Sequence, residues 1–394
     1  MKSLSLPMRL SSDDLPMFFS TPHLELAEKL RAAAAGLAAA ELAIDEPARD
    51  RAAVGALGDA GLFSLVAPAD GNVDCRAVCL AREMLGYVSA RADSIFAVQG
   101  LGTFPLTVAG TAAQRQQLAA FTRGEKVAAF ALTEPNAGSD VAAIATTARS
   151  VDGGYVLDGE KWFISNLGVA SHATVFATVD ASAGHRGITA FWLPLDTAGV
   201  EVESQTAIAA HPIGALRLRN VQLGSDAVIG VVGKGFGLAM QTLDAFRVTV
   251  GAAAVGMARR ALDEAGQHVV ARRQFGKPLA EQQLVQAHLA DMLVDLDAAR
   301  LLVLRAAYVK DTTQRRATTE VSVAKLGATE AAQRVIDRAV QLLGGRGVMQ
   351  GAVVEHLYRA IRPLRIYEGT SEIQRGIIGR AVAAGYQAVE GVGG

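Results

Sequence analysis

Two changes of pattern divide this chain and limit what it can fold into. Residues 22 to 122 read as helical. From Val127 to about residue 235 it reads as short strands, at 145–149, 155–157, 161–165, 174–179, 189–193 and 216–221. Asp152-Gly153-Gly154 and Asp158-Gly159 supply turns between some of them, and 173–179 has the Thr and Val content of a strand. Beyond residue 235 long helices return. The reading is an α+β multidomain chain, with a helical domain at 1–125, a β-domain at 126–235 and a helical bundle at 236–394. With 394 residues, 51% of them hydrophobic and 20% charged, the chain is large enough for extensive buried cores.

In the first third, Leu24, Leu26, Ala27 and Leu30 open an amphipathic pattern, and 32–42 is rich in alanine. Further helices are expected at 53–60, 74–85 and 112–121. GLGTFP at 100–105 has two glycines but not the third of a dinucleotide fingerprint, so it reads as a turn or kink. No group of catalytic residue types occurs here, and the expected role is to wall one side of a pocket.

Charge excludes some functions. The formal net charge is -1 and no basic run occurs, so nucleic acid is not an expected partner. The pairs Arg259-Arg260, Arg272-Arg273 and Arg315-Arg316 read as solvated helix faces, Arg272 excepted. Cys75 and Cys79 are the only two cysteines. Their CxxxC spacing is neither a redox nor a zinc motif, and they are expected as free, partly buried thiols on one helix face. The seven histidines form neither HxxxH nor HExxH, so no metal is expected. The first 18 residues are broken by Pro7, Arg9, Asp13, Asp14 and Pro16, which does not match a secretory signal. No apolar run is long enough to span a membrane. The expected location is the cytoplasm.

The stretch RIYEGTSEIQRGIIGR at 365–380 places Glu368 between Tyr367 and Gly369, just ahead of a helix start. Thr370 or Ser371 serves as N-cap, Glu372 falls in the first turn, and Ile373, Ile377 and Ile378 form an apolar stripe. A carboxylate fixed in a loop at a helix N-terminus suits a general base. Most loop glutamates are nonetheless simply solvated.

YEGTSEIQR resembles the C-terminal motif of the acyl-CoA dehydrogenase family of flavoenzymes, and other segments agree in the family's order. ALTEPNAGSDVAA at 131–143 is similar to the first family motif at Thr133, Glu134, Gly138, Ser139 and Asp140. GEKWFISN at 159–166 resembles the second flavin strand, with Phe163 and Ser165 where many members carry tryptophan and threonine. DAFRVTVGAAAVGMARRALDEA resembles the helix whose Asp and Arg contact acyl-CoA, here Asp244 and Arg247. Two branches of the family place the catalytic glutamate on that helix, where this chain has Phe246. ARRQFGKPLAEQQ at 271–283 and QLLGGRGV at 341–348 resemble the segments that reach FAD, the first of them across a subunit interface. After Val348 the likeness weakens: Gly351, His356 and Ala360 replace expected charges, while Glu355 and Arg359 are kept. GVVGKGFG at 230–237 has neither GxGxxG nor GKS/T and reads as the hinge into the last domain.

The resemblance covers about 370 residues and implies an N-terminal α-helical domain, a middle antiparallel β-barrel or sandwich and a C-terminal four-helix bundle. It implies FAD, lying between the β-domain and the bundle, and a homo-oligomer, tetramer or dimer. The implied reaction is α,β-dehydrogenation of a saturated acyl thioester, with Glu368 taking the α-proton and flavin N5 the hydride. Substrate contacts fall on Ser139, Asp244, Arg247, Tyr367 and Gly369. Cofactor contacts fall on Phe130, Leu132, Thr133, Gly138, Ser139, Phe163, Ser165, Arg272, Gln274, Phe275, Gln341, Gly344, Gly345, Thr370 and Glu372. Electron-transfer flavoprotein is the implied acceptor. Alternatives are an acyl-CoA oxidase of the same fold, a dehydrogenase of acyl groups on a carrier protein, and a flavin-containing binding protein with little catalysis. Chain length and branching of the acyl group are not legible.

Overall fold

A computed structural model describes residues 8–68, 71–313 and 316–390. Residues 1–7, part of the N-terminal stretch read above, and Arg315 lie outside the described residues. In chain order the helices are α1 (Ser11–Asp14), α2 (Thr21–Ala40), α3 (Glu46–Asp59), α4 (Cys75–Val88), α5 (Ala90–Ala109), α6 (Ala112–Gln116) and α7 (Leu118–Thr122). The main-sheet strands follow: β1 (Ala128–Ala131), β2 (Thr147–Val151), β3 (Gly154–Ser165), β4 (His172–Thr178), β5 (Ile188–Pro194), β6 (Val200–Ser204), β7 (Ile213–Gly224) and β8 (Val228–Ile229). Then come α8 (Gly235–Ala271), the two-residue strands β9 (Arg273–Gln274) and β10 (Lys277–Pro278), α9 (Gln283–Thr312), α10 (Thr318–Leu343), α11 (Val353–Ile361) and α12 (Ser371–Glu390). Among the described residues no helix is long and apolar enough to cross a membrane.

The chain forms two compact units. One comprises residues 35–73 and 91–246, and the other residues 1–34, 74–90 and 247–394.

The first is built on the sheet, in the order β6-β7-β3-β2-β4-β5-β8, with β1 beside β4. Its pairings are antiparallel except β1 with β4 and the single pair Thr147–Thr178. Two apolar clusters bury the alternating side chains of the central strands. Ala173, Val175 and Ala177 enter one, and Phe176, Ile188 and Trp192 the other. The segments 155–157 and 161–165, read as separate strands, are one strand. Asp158-Gly159 is not a turn but a local irregularity, where Gly159 sits at φ 148° and a Cβ would collide with Thr146. GLGTFP is not a turn: it lies inside α5, with Pro105 within the helix. Its glycines allow close packing: a Cβ on Gly100 would meet the Phe246 ring, and one on Gly102 would meet the backbone of Ala128 and Ala129.

The other unit is helical. α10 packs against α9, α11 and α12, and α4 against α9. α4 and α8 approach closely. A Cβ on Gly86 would overlap the carbonyl oxygen of Ala253, and one on Gly256 that of Glu83. Asp74 caps α4, accepting from the Ala77 N–H at 2.9 Å. Cys75 and Cys79 are free and both fully buried on α4. Arg259 and Arg260, expected in solvent, are buried. Arg259 bonds Asp14 at 3.2 Å; Arg260 bonds Glu264 at 2.9 Å and lies over the Tyr87 ring. Each of these buried guanidinium groups has a carboxylate beside it, which offsets the cost of removing the charge from water.

Candidate active site

Glu368 belongs to the helical unit and precedes α12, whose N-terminus is capped by Thr370: its Oγ1 accepts from the Ile373 N–H at 3.3 Å. Both ends of the segment are tied to Glu330 on α10, by Arg365 at 3.0 Å and by the Ser371 hydroxyl at 2.6 Å. Burial works to raise the Glu330 pKa, but those two donors outweigh it and hold the carboxyl below its usual range. Between these ties Glu368 adopts φ 53°, a left-handed conformation unfavourable for a residue with a side chain, and Gly369 follows at φ 93°.

Two buried cations hold that turn. Arg247, 7% exposed on α8, donates from Nε to the Glu368 carbonyl oxygen at 3.0 Å. Lys325, 0% exposed on α10, donates from Nζ to the Gly369 carbonyl oxygen at 2.8 Å, and Gln374 Nε2 reaches the same oxygen at 3.0 Å. Burial pushes the Lys325 pKa down to about 8, with Arg247 adding to the shift and the carboxylates of Glu368, Glu330 and Glu372 opposing it. Tyr367 is partly exposed and its N–H donates to the Pro363 carbonyl. Glu372 is in solvent in the first turn of α12; its own N–H and the Thr370 hydroxyl lower its pKa.

The same unit carries an open cleft of about 550 Å³. It gathers Arg272 and Gln274, at the end of α8 and on β9, with Gly344 and Gly345, which follow α10. His268, Arg346, Leu279, Leu342, Leu343 and Met349 complete its lining. Burial, then Arg346 and Arg272, lower the His268 pKa, a sign of crowded positive charge. A Cβ on Gly344 or Gly345 would meet nothing, so these glycines leave open space in the cleft. Two guanidinium forks beside an apolar wall match a pyrophosphate joined to a nucleoside. Gln341 and Phe275 do not line this cleft; Phe275 is 93% exposed, at φ 52°.

In the sheet unit, β1 runs into the loop of the first motif. Lys161, fully buried on β3, donates to the Leu132 carbonyl oxygen at 3.2 Å and to the Glu134 carboxylate at 2.6 Å. Glu134 also accepts from the N–H groups of Ala145 at 2.6 Å and Thr146 at 3.0 Å. Burial brings the Lys161 pKa down to about 8, against the pull of Glu134. This buried pair pins the loop at its base and leaves Gly138, Ser139 and Asp140 exposed. The side chains of Phe130 and Leu132 pack with the core, Phe130 edge-on to Phe176 at 5.1 Å. The Thr133 carbonyl accepts from the Trp162 N–H at 2.9 Å, which joins the loop to β3. There Phe163 is 61% exposed at φ 57°, and Asn166, at φ 71°, is anchored by its Nδ2 to the Ile95 and Ala128 carbonyls. Ser165 Oγ lies 3.1 Å from His211 Nε2. A flat apolar ring, a hydroxyl and open glycine-lined backbone on one irregular strand and its neighbouring loop suit a planar heterocycle. Asp244, on this unit's part of α8, is exposed.

Sequence reading missed Lys325, Lys161, His211, His268 and Arg346. Lys325 alone left a trace, as a lone lysine among Val321, Ala324 and Ala328 on one helix face.

Comparison with known proteins identifies the family. The family model "Acyl-CoA dehydrogenase, middle domain" matches residues 129–221, and "Acyl-CoA dehydrogenase, C-terminal domain" matches 233–383. The mitochondrial short-chain specific acyl-CoA dehydrogenase of Bos taurus is 39% identical over 339 residues, 84% of this chain and 82% of that protein. The structure of butyryl-CoA dehydrogenase from Megasphaera elsdenii superposes with a TM-score of 0.85 at 31% identity, covering 93% of this chain and 99% of that one. PigA, solved with FAD and proline, gives 0.84 at 25% identity over 93% of this chain and 98% of its own. A seated glutamate at the expected motif, a middle sheet, a helical C-terminal region and these likenesses lead to one statement: the chain belongs to the acyl-CoA dehydrogenase family and is an oxidoreductase of that family.

Proposed function

We propose that the chain oxidises a short-chain acyl-CoA thioester to the trans-2-enoyl thioester, with Glu368 as the base. The observation that supports this most is the seat of Glu368, a strained left-handed residue whose own and following carbonyl oxygens are gripped by Arg247 and Lys325. A carboxylate on so fixed a turn meets an α-proton in constant geometry. Arg247 is assigned here to holding Glu368 as well as to substrate. An α-proton is too weakly acidic for a carboxylate unless the thioester carbonyl is polarised, and the backbone N–H of Glu368 is assigned to that oxygen. Closure of substrate over the site expels water and makes the carboxylate a stronger base. Ser139, Asp244, Tyr367 and Gly369 are assigned to the acyl-CoA.

Bound FAD supplies the hydride acceptor for the β-hydrogen that leaves as Glu368 takes the α-proton. The chain's own residues bind it. Phe130, Leu132, Thr133, Gly138, Ser139, Phe163 and Ser165 are assigned to the flavin, with Thr370 and Glu372 at the start of α12. Arg272, Gln274, Gly344 and Gly345 are assigned to the pyrophosphate and adenosine, in the cleft a neighbouring copy offers, and Phe275 and Gln341, which do not line that cleft, are assigned to the same part of the cofactor. The enzyme is on this reading a cytoplasmic homo-oligomer that hands its electrons to electron-transfer flavoprotein. Similarity to the bovine short-chain enzyme supports the short acyl group.

The test is anaerobic. FAD-loaded protein is mixed with CoA thioesters from butyryl to palmitoyl, and flavin absorbance is followed. Bleaching by the short esters is expected. Glu368→Gln should keep its flavin and lose bleaching by roughly 10²–10⁴-fold, the usual worth of a positioned base. Near-normal bleaching in that variant would remove Glu368 from the role, and oxygen uptake without an added acceptor would turn the reading to an oxidase.

A further inference from the structure

Ser165, the β3 hydroxyl assigned to the flavin, already has a partner. Its Oγ lies 3.1 Å from Nε2 of His211, while Nδ1 of that ring lies 2.8 Å from the carbonyl oxygen of Ala209. A carbonyl oxygen only accepts, so Nδ1 carries the ring hydrogen. A neutral imidazole then has a bare Nε2, and Ser165 donates to it. Burial keeps the ring neutral by pushing its pKa down, the Ala209 bond opposes this, and the guanidinium of Arg91 adds to it. Arg91 is itself bonded to Glu41, Glu46 and Asp50, so its position is fixed. Strand pairing sets the histidine in place: Ser165 pairs with Ile213, the first residue of β7, and the Asn166 N–H donates to the Pro212 carbonyl at 2.8 Å.

We propose that His211 is a positioning residue that makes the Ser165 hydroxyl a dedicated acceptor toward the flavin. The inference rests on the assignment of FAD to this strand. With its hydrogen committed to His211, Ser165 offers a ligand only lone pairs. N5 of an oxidised isoalloxazine is also an acceptor, whereas the reduced ring carries hydrogen there. The pair therefore favours bound flavin in its reduced form and raises its reduction potential. Turning the hydroxyl to donate to oxidised N5 would leave the bare Nε2 without its hydrogen-bond donor.

The experiment measures the midpoint potential of FAD-loaded protein. His211→Phe removes the acceptor. One neutral hydrogen bond lost should cost about tenfold in preference for reduced over oxidised flavin, read as a fall of about 30 mV for this two-electron couple. His211→Gln, whose side-chain carbonyl can accept from Ser165, should restore most of the potential. In a Ser165→Ala background His211→Phe should shift nothing further. An unchanged potential in His211→Phe, or an equal shift in the Ser165→Ala background, would overturn the proposal. Should the variants fail to fold, the ring ¹⁵N shifts of His211 in the wild-type protein decide. Hydrogen on Nδ1 alone is expected, and an Nε2–H or doubly protonated ring at neutral pH refutes it. That spectrum can be read in FAD-free protein too, so loss of the flavin assignment, seen as protein that takes up no FAD, is distinguishable from loss of this one.

Discussion

Replacing Lys325 with methionine should cut catalysis while sparing the fold. The drop of the Lys325 pKa from its ordinary 10.5 to about 8 means that the buried ammonium is disfavoured by about 3 kcal/mol relative to the unfolded chain. Methionine fills similar volume and carries no charge, so this cost disappears. Against it stands one charge-assisted hydrogen bond, worth about 1.5–3 kcal/mol. The Gly369 carbonyl also retains Gln374 at 3.0 Å and is not orphaned. Net stability should therefore stay within about 1 kcal/mol of wild type or rise. The turn at Glu368 loses one of its two cationic grips, and if that bond's worth is spent holding the proposed base, flavin reduction slows about 10–100-fold. Stopped-flow bleaching under anaerobic conditions reads the rate, and urea unfolding reads the stability. Sign gives a further check. Because the folded pKa lies below the unfolded one, wild-type stability should climb from pH 8 to 10.5 as the unfolded chain alone stays protonated, and the variant should lack that climb. A variant that unfolds easily but reduces flavin at the wild-type rate would refute the reasoning.

Lys161→Met should behave oppositely and lose about 3–5 kcal/mol in urea unfolding, because the Glu134 carboxylate is left buried without its cation; adding Glu134→Gln should recover part of the loss. His172 stacks on Trp192 at 5.1 Å, and burial, aided by Lys126, lowers its pKa to about 4. Its contribution is present above pH 6.5 and lost as pH falls toward 4, so wild type should lose about 1–3 kcal/mol more than His172→Phe between neutral and acid unfolding curves. Gly369→Ala puts a Cβ against Gln374 Nε2 at a backbone φ of 93°, and should cost about 1–3 kcal/mol of stability and slow flavin reduction more than it lowers the melting temperature.

Much of the candidate site was legible in the sequence because it is local. Tyr367 to Glu372 carry their own cap, glycine and acidic first turn, and those residues form the expected helix start. Arg272, Gln274, Gly344 and Gly345 were legible only as a resemblance, and the cleft that gathers them closes between segments some seventy residues apart. The rest depends on distant partners. GLGTFP looks like a turn until Phe246 and the backbone of β1 supply a reason for glycine within a helix. Arg259 and Arg260 look solvated until Asp14 and Tyr87 arrive from elsewhere in the chain. His211 precedes β7 with no periodicity to mark it, and its meaning comes only from the register that pairs Ser165 with Ile213, two residues further on, and so brings the His211 ring to the Ser165 hydroxyl.

The contact between α4 and α8 makes tolerance to mutation uneven in a way no catalytic residue reveals. Gly86 and Gly256 each face a carbonyl oxygen of the other helix, so the two rods touch backbone to backbone with almost no side chain as cushion. A methyl at either place cannot be absorbed by a rotamer change and must displace a rod. Arg247 sits about two and a half turns from Gly256 on the same rod, and Glu368 hangs from Arg247. A single added carbon far from the candidate site would act as a lever on the proposed base, and loss of activity without loss of any functional group is its expected mark.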